Sequence, residues 1–505
     1  MPQDAKPEIS STLAGLEFPQ AELVFALTYP VGTDYSGVLL TLSNYIKRFG
    51  YRPQEIRLSD HITSIANRVE LPGITLASEP EAKRINSYMD GGNRIRELTK
   101  CPDFVTAAAV AEIGRRRTRD PQGLGEPANK TIHILNSLKR PEEVGTLRRI
   151  YGLGFYLMGI FASEAERLEY LTGDKNIPKT DALLLMQRDE DEEIPFGQRT
   201  RDTFQLADAF VKLSDDAYKK QLERFLDLIF GYPYYTPEPD EYSMFMAYSA
   251  ALRSGQLARQ VGASIRSVTG DIVAVGCNDV PSPRGGLYWP GPEDERDHIR
   301  KYDSNDLQVR RIVDDLLSRL GGNISKPRKA VLDLLKGSLL YDVSEFGRAV
   351  HAEMDALFGC ARNGVSPAGS ELFTTTFPCH NCTRHIITAG VRRVTYIEPY
   401  PKSMAAKLHK DAVILGARRN KSDRRIPFEA FVGIGPRRFF DLFSLKLSRG
   451  SEVRRKENGK VVKFDRGQAV PRIQMLPSSY LMREQLSADN VRIKIDDLLN
   501  QQRLL

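Results

Sequence analysis

The sequence predicts an α/β protein of two domains, and three observations predict it. Apolar runs alternate with amphipathic stretches through residues 21–231, the pattern of a parallel sheet with helices on its faces. A stretch with three prolines in eight residues, 232–239, then breaks the chain. Beyond it, a second set of strands and helices carries His351-Ala352-Glu353 and, further on, Pro378-Cys379-His380-Asn381-Cys382. At 505 residues, more than one domain is the expectation in any case.

Residues 1–20 read as a flexible polar arm. Residues 22–29, with Leu23, Val24, Phe25, Ala26 and Leu27 at the centre, read as a buried strand. A loop follows, Pro30-Val31-Gly32-Thr33-Asp34-Tyr35-Ser36-Gly37, then an amphipathic helix over 38–49 that Gly50 ends. Strand, glycine-bearing loop and helix are the setting of a phosphate-binding P-loop. The residues depart from that motif. With Ser36 on its final Ser/Thr, Tyr35 stands where lysine belongs, and Asp34 and Tyr29 stand where glycines belong. Phosphoryl transfer needs the missing positive charge, so the loop argues against kinase chemistry. Nucleotide binding at Gly32, Thr33 and Ser36 and a purely structural turn both stay open. Strands at 132–135 and 155–161, a helix from 138 to 151, another from 164 and a third after Gly197 continue the alternation. Arg199 and Arg201 suit either a phosphate or a solvated charged face.

The second domain is expected over 240–445. A helix is predicted over 242–257 and strands over 261–265 and 274–278. Residues 281–345 read as an insertion that opens on a Pro/Gly-rich loop with the only tryptophan, Trp289, and continues with helices over 307–320 and 329–340. Such an insertion serves as a lid, an oligomer contact or plain surface. Met354, Leu357 and Phe358 mark a helix, 372–376 a strand, Pro378 the entry to another helix and 394–397 a further strand. Residues 446–505 are left as a C-terminal extension.

The chemistry lies in the second half. Zinc accepts a neutral imidazole and two thiolates and keeps a fourth position for a water whose pKa it lowers. His351, Cys379 and Cys382 supply that set. The two cysteines, three apart, share one face of a helix, and the positive end of a helix favours thiolate. Glu353 lies two residues beyond the histidine, as a proton carrier would. A lone His-x-Glu says little, and a lone Cys-x-x-Cys also suits a redox pair or a structural zinc. Together and in this order they point to hydrolytic deamination of a nucleobase.

Composition sets limits. The net charge of +7, from 72 basic and 65 acidic residues, permits anionic ligands from nucleotides to RNA without requiring them. No apolar run is long enough for a membrane helix, and the N-terminus lacks a signal-peptide pattern. Five cysteines, an odd count, suit a reducing cytoplasm better than a disulfide framework. Arg418, Arg419, Lys421, Arg424 and Arg425, with Arg437 and Arg438 near Phe439 and Phe440, read as an RNA-contacting surface or as a solvated charged face.

Ala361-Arg362-Asn363-Gly364, Thr374-Thr375-Thr376 and residues 387–394 frame the metal motif in a way that resembles the deoxycytidylate deaminases. The resemblance implies a cytidine-deaminase-like α/β/α fold. It also implies that Asn278 contacts the nucleotide sugar, that Tyr400 covers the base and that Lys402 meets a phosphate; turns and Pro-flanked loops use the same residues without any ligand. Taken whole, the chain resembles the two-domain bacterial anti-phage dCTP deaminases, which join a degenerate P-loop kinase-like domain to a deoxycytidylate deaminase domain. Pro30-Val31-Gly32-Thr33-Asp34, Arg201-Asp202-Thr203-Phe204, the metal motif and the stretch Phe431-Val432-Gly433-Ile434-Gly435-Pro436-Arg437-Arg438 carry that resemblance. It implies zinc-dependent deamination of free dCTP, and of dCMP, to deoxyuridine nucleotides, which depletes a pool that phage replication needs. It further implies a small regulatory RNA as partner, while the departures at residues 29–36 predict a first domain that regulates without transferring phosphate. A homo-oligomer without a membrane partner is expected. An RNA- or DNA-editing cytidine or adenosine deaminase is the alternative, though an editor must accommodate a polymer strand. A non-catalytic nucleotide sensor is the other, and Glu353 weighs against it.

Overall fold

Leu23–Thr28 forms β1, and all of its side chains are buried. A strand covered on both faces has no polar side to show, which is why this one lacks alternation. The computed structural model describes residues 20–117, 126–192, 194–213, 217–320, 328–335, 338, 340, 346–400, 403–417, 420, 422–446 and 450–503. After β1 come α1 (Ser36–Arg48), β2 (Arg52–Arg57), α2 (Leu58–Ala66), α3 (Glu81–Thr99), α4 (Phe104–Arg117), β3 (Thr131–Asn136) and α5 (Pro141–Tyr151). Next are β4 (Phe155–Phe161), α6 (Glu164–Glu169), α7 (Lys179–Glu190), α8 (Thr200–Phe204), β5 (Ala209–Lys212) and α9 (Ala217–Ile229). The five strands are parallel in the order β2-β3-β1-β4-β5. Helix α1 buries Val38, Leu42 and Ile46, one per turn, and α9 adds Leu222, Phe225, Leu226 and Ile229 to the same core. Phe25 meets the rings of Tyr156 at 5.5 Å and Phe225 at 6.3 Å. The sequence reading has no strand at β2. Its residues, Arg-Pro-Gln-Glu-Ile-Arg, are polar because it is the sheet's edge, where a proline's missing N–H is tolerated.

The second unit, Glu238–Phe431, opens with α10 (Pro239–Ala251), β6 (Gly262–Arg266) and β7 (Ile272–Cys277). The insertion contributes α11 (Asp297–Arg300), α12 (Ser304–Leu320) and α13 (Arg328–Leu335). Then follow α14 (Ala352–Arg362), β8 (Glu371–Thr376), α15 (His380–Thr388), β9 (Arg393–Glu398), α16 (Ala405–Leu408), β10 (Val413–Leu415) and β11 (Ile426–Ala430). The sheet runs β10-β11-β9-β8-β6-β7, parallel from β10 to β8 and antiparallel through β6 and β7. Helix α10 starts and stops earlier than 242–257. Pro239 takes its first position, with a reciprocal cap between Glu238 and Glu241. Helix α14 lies hard against β7: a Cβ on Gly276 would stand 2.4 Å from the Ala352 carbonyl oxygen and from the Ala356 nitrogen. Only glycine permits that approach, and it fixes the helix that carries Glu353.

The C-terminal boundary corrects the expectation of a second domain reaching 445 with an extension after it. From Val432 the chain returns to the first unit. Gly433–Ile434 forms β12, antiparallel to β5 through Gly433↔Phe210 and Ile434↔Ala209, and Gly435 N donates to Asp208 O at 2.8 Å. After α17 (Phe439–Phe443), the long α18 (Pro477–Arg503) packs on α4. Its Tyr480 hydroxyl donates to Glu22 at 2.5 Å, and its Glu484 pairs with Arg117, itself bound to Glu22 at 3.0 Å. Those side chains are buried, so the C-terminal helix completes the first unit's interior. A two-residue strand carries no periodicity for the sequence to reveal. The expected arm lies, but for residue 20, outside the described residues.

Candidate functional site

Two helix N-termini assemble the metal motif. His351 is the N-cap of α14 and Cys379 the N-cap of α15, both in extended backbone conformation. Cys382 sits one turn in, and its backbone N–H donates to Cys379 Sγ at 3.4 Å. Ser403 Oγ donates to the Pro378 carbonyl at 2.7 Å and holds the turn that enters α15. His351 Nδ1 lies 3.3 Å from each sulfur, and the three donor atoms are within 4.8 Å of one another. An N–S edge of a zinc tetrahedron measures roughly 3.5 Å for the usual Zn–S and Zn–N bond lengths, so the residues fit zinc with a shift of a few tenths of an ångström. Among the described residues, no other group of three His, Cys, Asp or Glu is close enough to hold a metal ion.

The donor chemistry agrees. The hydrogen bond from Cys382 drives the Cys379 thiol down to about 3, with His351 adding to it. Burial pushes the Cys382 thiol well up, and the neighbouring Cys379 adds to that. One thiolate forms readily here; the second needs a further positive charge, which a divalent cation supplies. Glu353 is 4% exposed, with Oε2 3.3 Å from Cys382 Sγ. Burial raises its carboxyl pKa against the pull of His351, which suits a group that must both take and give a proton.

Asn278 lies just past β7, and its carboxamide is engaged with the segment before β6. Oδ1 accepts from Val261 N at 2.7 Å, and Nδ2 donates to Arg259 O at 2.8 Å. The Arg259 guanidinium, which the sequence reading does not single out, stands 5.0 Å from the Tyr400 ring centre and 3.4 Å from Glu398. It is near enough to His351 to lower the imidazole's pKa, against the larger raising effect of the hydrogen bond to Cys379. A single arginine ahead of a strand carries no motif, so nothing in the sequence marked it. Lys402 lies outside the described residues, as do Arg418, Arg419 and Lys421.

Gly32, Thr33 and Ser36 are together in the first unit, on the wall of a cavity of about 490 Å³. Three of the loop's N–H groups are engaged within the chain. Val31 N donates to Asp189 at 2.8 Å, Thr33 N to Pro30 O at 3.2 Å and Ser36 N to Asp34 at 3.1 Å. Lys139, on the wall of the same cavity, binds Asp189 and the Tyr29 carbonyl, each at 2.8 Å. Arg199 pairs with Asp202 and Glu142, and Arg201 with Asp191 and Glu190. Arg438 is buried on Asp208 and on the Leu153 and Phe155 carbonyls, which removes it from any RNA-contacting surface.

Residues 237–398 match the family model described as the cytidine and deoxycytidylate deaminase zinc-binding region, and His351, Glu353, Cys379 and Cys382 all fall inside it. The chain is 40% identical over 65 residues to ComE operon protein 2 of Bacillus subtilis (strain 168), covering 13% of this chain and 34% of that protein. It is 28% identical over 215 residues to a probable deoxycytidylate deaminase of Drosophila melanogaster, covering 41% of this chain and 86% of that protein. The chain thus spans about a third of the Bacillus relative's length and most of the Drosophila one's. A solved dCMP deaminase from cyanophage S-TIM5, in complex with dCMP and dUMP, is 23% identical over 39% of this chain and 100% of that chain, with a TM-score of 0.23. No helix among the described residues is long and apolar enough to cross a membrane.

Proposed function

We propose that the second unit is a zinc-dependent deaminase of free deoxycytidine nucleotides, converting dCTP, and dCMP as well, to the deoxyuridine nucleotide. The meeting of His351, Cys379 and Cys382 with Glu353 beside them, inside the region that matches the family model, carries this reading. Zinc held by those three residues would supply a water of lowered pKa. Glu353 is the group placed to carry protons to the ring nitrogen and then to the departing amine. The C4–N bond breaks, a C4–O bond forms, and one water is consumed as one ammonia leaves. Asn278 holds the 259–261 segment and keeps one lone pair and one N–H for a sugar hydroxyl. Tyr400 covers the base, and Lys402 meets a phosphate.

The first unit is read as a degenerate P-loop kinase-like domain that biases the deaminase between resting and active states. Its engaged loop amides and the Lys139–Asp189 pair support regulation without phosphoryl transfer. Control of this kind requires an effector, a nucleotide or a small RNA, to bind the two states with different affinity. The biological role that follows from the resemblance is depletion of the cytoplasmic dCTP pool in anti-phage defence, by a homo-oligomer. Incubating the purified protein with dCMP, dCDP, dCTP and CTP and separating the products tests the substrate. Deoxyuridine nucleotides from dCTP and dCMP, with CTP slower, are expected; equal rates on CTP and dCTP contradict the sugar selection.

A further inference from the structure

The cavity of the first unit opens at the carboxyl ends of its parallel strands. Tyr29 follows β1, Arg57 ends β2 and Leu58 follows it, and Asn136 ends β3 and Ser137 follows it; all five line it. Strand β1 has β3 and β2 on one side and β4 and β5 on the other. That is the topological switch point at which open α/β sheets bind ligands. The volume of about 490 Å³ suits one small organic molecule.

The lining specifies the ligand's chemistry. Tyr29 and Tyr35 stack with ring centres 4.8 Å apart and planes 21° from parallel, and Tyr88 and Tyr170 add two more aromatic faces. Three of the lining cations are matched within the wall: Lys139 by Asp189, Arg96 by Glu143 and Arg84 by Glu81. Arg57 leans on Glu55, which is not part of the wall, and Lys175 lies 5.4 Å from the Tyr170 ring centre, its charge adding to that of Arg84 in holding the Glu81 carboxyl low. Arg96 is 3% exposed, and its Nε has no hydrogen-bond partner among the described residues. The wall therefore offers flat aromatic faces and an excess of one to two positive charges, enough for a single phosphate monoester. A triphosphate would need the amides of the loop that leads into α1, and Asp189, Pro30 and Asp34 already hold those of Val31, Thr33 and Ser36, the last of them at the start of α1.

We propose that this cavity binds a nucleoside monophosphate, its base against Tyr29, Tyr35 and Tyr88 and its phosphate toward Lys175 and Arg84. The proposal deepens, and rests on, the reading of the first unit as a regulatory nucleotide-binding domain. It is independent of what the second unit deaminates.

The test is equilibrium dialysis of the full-length, zinc-loaded protein against dTMP, dGMP, dTTP and dGTP, none of which carries the cytosine amine. Metal content and a dCTP deamination assay are read on the same preparation. One monophosphate per chain, bound at least tenfold more tightly than its triphosphate, is expected. Tyr35→Ala and Lys175→Glu should each weaken it at least tenfold while zinc content and circular dichroism stay as in the parent. Tighter binding of the triphosphates, or equal affinity in both variants, overturns the monophosphate site but leaves a nucleotide-binding unit standing. No nucleotide bound by protein that holds zinc and deaminates overturns both, and leaves the deaminase reading intact. Monophosphate bound as described by a protein that does not deaminate supports the site and removes the deaminase reading.

Discussion

Glu353 combines burial with contact to a metal-binding thiol, and the two together define its work. Burial raises its carboxyl pKa, as the proposed proton-carrying role requires, while its removal takes no ligand from the His351, Cys379 and Cys382 set. Glu353→Gln should therefore keep its fold and one zinc per chain and lose about 10²- to 10⁴-fold in turnover. Atomic absorption beside a product assay checks it, and turnover near that of the parent would show that another group carries the protons. At this scale the sequence was most informative where chemistry fixes residue type and spacing: His351, Glu353, Cys379 and Cys382 are together as their order implied. It was least informative for basic residues. Arg259 and Arg438 look alike in a sequence, yet one stands by Tyr400 near the metal motif and the other is buried on Asp208.

Helix α14 depends on β7 for its position, and Gly276 is where the two touch. Gly276→Val places a branched side chain where even a Cβ would stand 2.4 Å from helix backbone. The helix must move or the strand must bend. We expect a loss of about 3 kcal/mol or more in the second unit's stability, together with weaker zinc retention, since His351 caps that helix. Urea unfolding and metal analysis read both, and an unchanged midpoint would contradict the packing. The same unit holds a partly buried charge network in which Arg393 and Arg266 bind Asp240 and Glu371. Burial alone would raise both carboxyl pKa values, but the hydrogen bonds and charges of the two arginines hold them below the usual range. A depressed folded pKa gives stability that is present above the unfolded value and is lost as pH falls through the folded one. The urea midpoint of this unit should hold from pH 7 to about 5 and fall below about pH 4, where unfolded carboxylates begin to take up protons. A midpoint unchanged down to about pH 3 would remove the network from the account. Elements with a strong local signal, the unbroken apolar runs of β1 and β4 and the helical periodicity of α1, were legible in the sequence. The edge strand β2 was not, because exposure on one side of the sheet frees its residues from being apolar.

Over the whole molecule, the first unit is discontinuous in sequence. Its sheet gains β12 and its interior gains Tyr480 and Glu484 only after the second unit has been completed. The proline-dense stretch before residue 240 announced one boundary; the other fell fourteen residues earlier than expected because long-range pairing leaves no local mark. Removing 477–503 should take Glu484 and Tyr480 away from Arg117 and Glu22, uncover the face of α4 on which α18 packs and destabilise the first unit by about 3–5 kcal/mol. A fragment of residues 238–431 should be the one that retains the metal site. Far-UV circular dichroism with urea separates these outcomes, and a first unit of unchanged stability would mean that α18 is dispensable. The central claim, a zinc deaminase of free deoxycytidine nucleotides, is tested most directly by zinc titration of chelated full-length protein with dCTP as substrate. Deoxyuridine triphosphate formation should rise in proportion to bound zinc and level off at one zinc per chain. Zinc bound at that ratio with no deaminated product from dCTP or dCMP would contradict it.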